Sequence, residues 1–231
     1  TLYAALGLRN PEAEKIITVE DPVEYQLPGV TQVPVHAKAG VTFAAALRSI
    51  LRQDPDVVMV GEMRDIETAG IAVQAAMTGH LVFSTVHTND AVSALPRLID
   101  LRVEPYLIAA TVEGVLAQRL VRRVCAECRE RYHPDPQLVA LLAGGPIGTI
   151  TLDRGLGCAA CRGTGYRGRV GIYELLTMSD AIRDELRRGG AVATMRRLDR
   201  DEGMVTLRSD GWLKARAGLT TVEDVLRVAN D

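Results

Sequence analysis

The chain has 231 residues, 47% of them hydrophobic and 24% charged, and its 27 Lys+Arg against 29 Asp+Glu leave a net charge of −2. Such a balance gives no overall field to gather nucleic acid, and no apolar stretch approaches the roughly 18 uninterrupted residues of a membrane span. No basic n-region with an apolar core marks a signal peptide, so the cytosol is the expected compartment, and the length suits one main domain with an appendage.

The first residues, Thr1-Leu-Tyr-Ala-Ala-Leu6, read as a helix already under way, without a start methionine or an N-cap. Three short apolar runs have the length and β-branching of buried parallel strands: Ile16–Val19, Val57–Val60 and Leu81–Val86. Helical patterns separate them. Phe43, Leu47, Ile50 and Leu51 share a face behind Thr42 as N-cap, and an Ala-rich helix over 66–77 follows Asp65 as cap. Strands alternating with helices predict βαβ units and a parallel sheet covered on both faces. The chain then reads helical from Val92 to Val121, broken at Glu104-Pro105. Residues 134–157, rich in Gly and Pro, read as a mobile loop. Glycines after Cys161 predict tight turns followed by short helices, with Ser179 and Thr220 as N-caps, the latter in a capping box with Glu223.

Each apolar run ends in polar residues: Glu20-Asp21-Pro22-Val23-Glu24, Gly61-Glu62-Met63-Arg64-Asp65 and His87-Thr88-Asn89-Asp90. Ligands of open parallel sheets bind outside the carboxyl ends of the strands, so these tails are expected at one crevice. An apolar strand ending in Glu62 is the Walker B pattern, a carboxylate held rigidly to bind Mg²⁺ or polarise water. Glu20, Asp21 and Glu24 offer further acidic groups, and His87 is placed to report a γ-phosphate. His80, before the third run, reads equally well as structural. Arg48 and Arg52, one turn apart, and Arg64 are surface charges or phosphate-stabilising groups.

The cysteines form two C-x-x-C pairs, Cys125/Cys128 and Cys158/Cys161, separated by residues 129–157. Four thiolates in this arrangement suit one tetrahedral zinc with no open position, hence a structural site. Two disulfides or four inert thiols are the alternative, which nothing in the chain supports with an oxidising compartment.

The segments ITVEDPVEY (17–25), FAAALRSILRQDPDVVMVGEMRDIETA (43–69), AAMTGHLVFSTVHTNDA (75–91) and AQRLVRRVC (117–125) closely resemble the secretion ATPases of the type II secretion and type IV pilus assembly family. CAACRGTGYRGRVGIYELL (158–176) resembles that family's tetracysteine metal segment. The resemblance implies a RecA-like P-loop NTPase core over 1–123, a zinc subdomain over 124–174 and a C-terminal helical region over 175–231. It implies a cytoplasmic homo-hexamer working with inner-membrane platform and adaptor proteins of a type II secretion system or, alternatively, a type IV pilus system. ATP, Mg²⁺ and Zn²⁺ are the implied cofactors. Glu62 is then the catalytic glutamate, with Glu20, Asp21, Glu24 and Arg64 assisting. His80 and His87 form the His-box pair, and Thr1, Arg48 and Arg52 lie at the nucleotide. The Walker A loop, G-x-x-x-x-G-K-[ST], is not in the chain. The family carries it immediately before a TLYAAL-like helix, so the core is expected to be truncated at its N-terminus and the chain alone inactive toward ATP, leaving a zinc-bearing docking module as a rival reading. Arg102 stands where the family usually has glycine, which predicts a strained residue if the position requires φ > 0. C-x-x-C-x-G-x-G at 158–165 also imitates a DnaJ-type zinc repeat, but only one copy is present.

Overall fold

The computed structural model describes residues 1–229. In chain order the elements are helix α1 (Leu2–Leu6), strands β1 (Ile16–Glu20) and β2 (Thr31–Pro34), helix α2 (Phe43–Leu51), strand β3 (Val57–Val60), helix α3 (Ile66–Met77), strand β4 (Leu81–Ser84), helices α4 (Ala94–Asp100) and α5 (Pro105–Thr111), strands β5 (Gly114–Val124) and β6 (Arg129–Tyr132), helix α6 (Pro136–Ala143), strands β7 (Leu152–Gly155) and β8 (Tyr166–Thr177), and helices α7 (Asp180–Arg187), α8 (Val192–Asp201), α9 (Leu207–Arg216) and α10 (Val222–Val228).

Two compact units result. The first comprises Thr1–Thr88, Val92–Glu113 and Met178–Met195; the second comprises Asn89–Ala91, Gly114–Thr177 and the chain from Arg196 onward. These units do not follow a 1–123, 124–174, 175–231 partition, because β5 groups with the cysteine segment and α7 groups with the sheet.

The first unit is α/β. Its sheet is parallel throughout, in the order β2-β1-β3-β4. Every residue of β1 and β3 is buried; their apolar runs suit a sheet covered on both faces, and Thr18 and Glu20 of β1 are the polar exceptions. One face packs Ile17, Val19, Val58 and Val60 against Ala46, Leu47 and Ile50 of α2 and Ala72 of α3. The other packs Ile16, Val57 and Met59 against Leu6 of α1. Thr42 and Asp65 cap α2 and α3 through side chains that accept from Ala45 N–H and Thr68 N–H, and Pro105 opens α5. The edge strand β2 has no counterpart among the expected strands, since Gln32 and Pro34 within it dilute the apolar signal. The third strand stops at Ser84 rather than Val86 because its neighbour β3 ends opposite it, at Val60.

The second unit is built on a long antiparallel pair, β5 with β8, running from Gly114 opposite Thr177 to Val124 opposite Tyr166, with a bulge between Arg122 and Val124. Its core joins Val121 and Ile172 of this ribbon to Val139 and Leu142 of α6, Leu152 of β7, Leu207 of α9 and Val222 and Val225 of α10. Here the structure corrects the sequence reading in four places. Residues 114–121 form a strand, not helix: Val112, Val115 and Leu116 fit a helical spacing locally, but pairing with β8 decides the matter. Glycines 168 and 171 lie within β8 rather than in turns. The supposed loop over 134–157 holds α6 and β7. The N-cap of α10 is Thr221, whose side chain accepts from Asp224 N–H, while Thr220 is fully buried behind it.

Arg102 has φ +62. It follows the C-cap of α4, with its N–H on Ile99 O at 2.8 Å and Val103 N–H on Leu98 O at 3.1 Å, the Schellman pattern in which glycine is favoured at the left-handed residue. Arg102→Gly is therefore expected to stabilise the protein by roughly 0.5–1 kcal/mol, read as a higher denaturant midpoint at unchanged slope.

Candidate functional site

Register brings the strand tails together. Val19 is opposite Val60, and Val60 is opposite Ser84, so the residues that follow (Glu20-Asp21, Gly61-Glu62 and Thr85 to His87) leave the sheet at the same edge. Cross-bonds extend this ladder beyond the strands. Gly61 N–H donates to Val19 O at 2.8 Å and Met63 N–H donates to Thr85 O at 3.0 Å, and Thr85 Oγ1 donates to Gly61 O at 2.8 Å. A side chain at Gly61 would press on Val19 O, 3.3 Å from its Cβ.

Glu62 is the centre of this rim. Its side chain is 12% exposed, with Arg64 Nε 2.5 Å and His87 Nε2 3.2 Å from Oε2. Both partners are well exposed, so the carboxylate has a low-dielectric base and a solvent-facing side. Asp21 and Glu24 lie exposed on the loop after β1.

Glu20 differs. It is the last residue of β1, only 3% exposed, and its carboxylate is caged by donors. Tyr3 Oη donates to Oε2, Thr18 Oγ1 donates to Oε1 at 2.5 Å, and Gln32 Nε2 donates to Oε1 at 3.0 Å. The same groups hold the acidic loop. Glu24 N–H donates to Tyr3 Oη at 3.1 Å, Leu27 N–H to Gln32 Oε1 at 2.8 Å, and Gln32 Nε2 also reaches Tyr25 O at 3.2 Å. The rings of Tyr3 and Tyr25 meet edge to face at 4.6 Å between centroids. Burial first, then the bond to Glu20, raises the pKa of Tyr3 and keeps it a donor. Sequence reasoning missed Tyr3, Thr18 and Gln32; a polar Thr18 between buried neighbours in β1 was the available signal. Tyr3 also puts the start of α1, and with it Thr1, near this rim.

Three expected site residues lie elsewhere. His80 precedes β4 and so stands at the opposite edge of the sheet from Glu62; its Nδ1 lies 2.9 Å from Ala75 O and 3.0 Å from Thr78 Oγ1, closing the end of α3. Arg48 pairs with Glu67 of α3. Arg52 is the exposed C-cap of α2, where the chain turns back to the start of β3. Helix α2 runs antiparallel to the strands, so its last turn cannot reach their carboxyl ends.

A separate site lies in the second unit. Cys125 and Cys128 sit between β5 and β6, Cys158 and Cys161 between β7 and β8, and the antiparallel pairs β5·β8 and β6·β7 bring the two knuckles face to face. All four Sγ atoms lie within 4.8 Å of one another. Cys125–Cys158 is 3.9 Å, Cys128–Cys161 3.8 Å and Cys158–Cys161 3.8 Å. A tetrahedron of sulfurs at about 2.3 Å from zinc has edges of about 3.8 Å, whereas a disulfide is about 2.05 Å. The cysteines are free. Backbone amides favour thiolate: Cys158 N–H and Gly165 N–H donate to Cys161 Sγ at 3.1 and 3.3 Å, and Gly157 N–H to Cys128 Sγ at 3.3 Å. The bond from Cys158 is the main cause that lowers Cys161 to about 6, while burial pushes Cys128 up to about 12. Backbones cross closely here: a Cβ on Gly155 would sit 2.0 Å from Gly165 O, so no other residue fits. The four sulfurs could hold one tetrahedral metal ion, and their spacing is compatible with zinc.

The sequence profile of the type II/IV secretion system protein family matches residues 1–227. The chain belongs to this family. It is 52% identical over 231 residues to type II secretion system protein E of Pseudomonas aeruginosa and 47% identical over 231 residues to type II secretion system ATPase E of Vibrio cholerae, covering 100% of this chain and 46% of each relative. To the type IV pilus assembly ATPase PilB of Thermus thermophilus it is 52% identical over 211 residues, 90% of this chain and 24% of that one. The chain thus spans less than half the length of these relatives. Among solved structures, the pilus retraction motor PilT with bound ADP superposes with a TM-score of 0.68 at 30% identity, over 94% of this chain and 53% of that one.

Tyr3→Phe removes one of three donors from the buried Glu20 carboxylate and is expected to cost about 1–3 kcal/mol, measured by urea unfolding.

Proposed function

We propose that this chain is the catalytic-rim and metal-bearing part of a motor ATPase that couples ATP hydrolysis to protein transport through a type II secretion system. The observation that carries the reading is the meeting of Glu62, Arg64, His87 and the Asp21–Glu24 loop at the carboxyl edge of one parallel sheet, in a member of this family. Glu62 acts as the general base that orients and deprotonates the attacking water. Arg64 and His87 hold its carboxylate; His87 also senses whether a γ-phosphate is present. Hard oxygen donors on Asp21, Glu24 and Glu62 suit magnesium, which when bound neutralises charge on the phosphates. Glu20 anchors the acidic loop from below. His80, Arg48 and Arg52 have no part in the proposed chemistry.

The 231 residues contain no G-x-x-x-x-G-K-[ST] segment, whose amides and lysine cradle the phosphates. We therefore expect no ATP-dependent thermal stabilisation of the chain alone. Joined to a phosphate loop ahead of Thr1 it should turn over ATP, and Glu62→Gln should lower kcat by roughly 10²-fold or more while nucleotide binding persists. Turnover that is indifferent to Glu62→Gln overturns the catalytic reading and leaves a docking module.

The working form is a homo-hexamer on the cytoplasmic face of the inner membrane, attached through platform and adaptor proteins; no helix among the described residues is long and apolar enough to cross a membrane. Type IV pilus assembly is the second reading, favoured by the identity to PilB, and complementation of secretion-defective against pilus-defective cells separates the two.

Zinc on Cys125, Cys128, Cys158 and Cys161 ties β5–β6 to β7–β8. Metal analysis of the purified chain should return one zinc per chain. Cys128→Ser should lose it together with the second unit's cooperative unfolding, since structural zinc contributes on the order of 10–16 kcal/mol of apparent binding energy.

A further inference from the structure

Within the second unit, the start of α10 reaches both strands of the long ribbon beside the cysteines. Thr221 is its N-cap, and Asp224, three residues on, is 1% exposed. This is the spacing of a capping box, in which the later side chain turns back to the cap's own N–H. The Asp224 carboxylate goes to β5 instead. Arg122 N–H donates to Oδ2 at 2.5 Å and Arg122 Nε donates to Oδ1 at 2.7 Å. Arg227, on α10 itself, donates to Oδ1 from Nε at 3.2 Å and from Nη2 at 3.1 Å. A buried carboxylate is costly unless hydrogen bonds replace its hydration, and charge-assisted bonds of this kind are about twice as strong as neutral ones.

What they hold is the approach to the first cysteine knuckle. Arg122 stands where the pairing with β8 is interrupted before Val124, and a bulge leaves a residue unpaired and bends the strand. Val124 N–H donates to Leu219 O, just before α10, at 3.0 Å. Residues 122–124, which lead into Cys125, are therefore bonded to the segment 219–224 as well as to β8.

The second knuckle is held from the same place. Tyr166 Oη lies 2.9 Å from Thr221 Oγ1, and Arg122 Cζ lies 4.0 Å over the centre of the Tyr166 ring. Tyr166 follows Gly165, whose carbonyl accepts Cys125 N–H at 2.9 Å and whose N–H donates to Cys161 Sγ at 3.3 Å. Thr221 and Asp224 thus fix one residue ahead of the first cysteine pair and one behind the second. Sulfurs from the two pairs stay 3.8–3.9 Å apart only while both strands keep these positions.

We propose that Asp224 is a positioning residue for the metal centre: by clamping Arg122, with Thr221 on Tyr166, it holds the two cysteine knuckles at ligating distance. Metal release then requires the start of α10 to let go. The proposal rests on the zinc reading given above, and the test separates the two. In the zinc-loaded 231-residue chain, Asp224→Asn keeps the size of the side chain but removes its charge and one acceptor oxygen. Transfer of zinc to a chromogenic chelator in excess should be about tenfold faster, and Asp224→Glu should restore part of the native rate. Hydrogen exchange at the Arg122 and Cys125 amides should quicken by about the same factor, while the amides of β5 near Gly114 keep theirs. Arg122→Gln should speed release likewise, and the double variant should be no faster than the faster single one, the mark of groups acting as one.

Where Asp224→Asn does not fold, Tyr166→Phe, which keeps the ring beneath Arg122 and removes only the bond to Thr221, should still quicken zinc release by roughly threefold or more. Native release in these variants, effects that multiply, or exchange quickened equally throughout the second unit overturn the clamp. A purified chain that takes up no zinc, or a Cys128→Ser variant that keeps it, overturns the metal reading and the clamp with it.

Discussion

The parallel register of β1, β3 and β4 is the constraint on which the site depends. Val19, Val60 and Ser84 lie in one row across the sheet, and a slip of one strand by a single residue would carry its side chains to the opposite face and its polar tail out of line with the others. Both faces of β1 and β3 are covered, by α2 and α3 on one side and α1 on the other. Polar side chains are thereby pushed to the strand ends, and because all strands point the same way, the carboxyl-end tails share an edge. The acidic rim is a by-product of packing before it is a device for chemistry.

The second unit solves a different problem. Its core is assembled from short pieces, with the two antiparallel pairs meeting at the cysteines. Four cysteine sulfurs gather at this meeting point, and amide donors from Gly157, Cys158 and Gly165 are aimed at the sulfurs of Cys128 and Cys161. That the knuckles face each other with sulfur separations near a tetrahedral edge follows from the strand pairings, since each C-x-x-C caps one end of β6·β7 and one end of β5·β8. The intervening β6–α6–β7 excursion explains why the second pair comes so late in the chain.

Much of the first unit was legible in the sequence because its signals are local: buried strands read as apolar runs, and Thr42, Asp65 and Pro105 act within one turn of where they stand. Arg102, which stands where the resemblance implies glycine, has φ +62. The second unit was less legible because β5 and β8 are defined by each other, across more than forty residues, and neither run alternates cleanly enough to overrule a helical reading. The site divides the same way. Glu62 and His87 are announced by following apolar runs, whereas the cage of Tyr3, Thr18 and Gln32 around Glu20 comes from three elements, one of them an edge strand with little apolar character. His80 shows the limit of proximity in sequence: seven positions before His87, it lies across a whole strand from it.

The two rim glutamates show how one motif divides labour by environment. Glu20 is enclosed, with three protein donors occupying its oxygens, so its charge is already spent on holding Tyr3, Gln32 and the loop carrying Asp21 and Glu24. Among the described residues Glu62 pairs with Arg64 and His87, both on the same oxygen and both reaching in from solvent. Burial therefore separates Glu20, enclosed at the end of β1, from Glu62, open on one side to solvent, a distinction that identical side chains at the ends of neighbouring apolar runs do not carry by themselves.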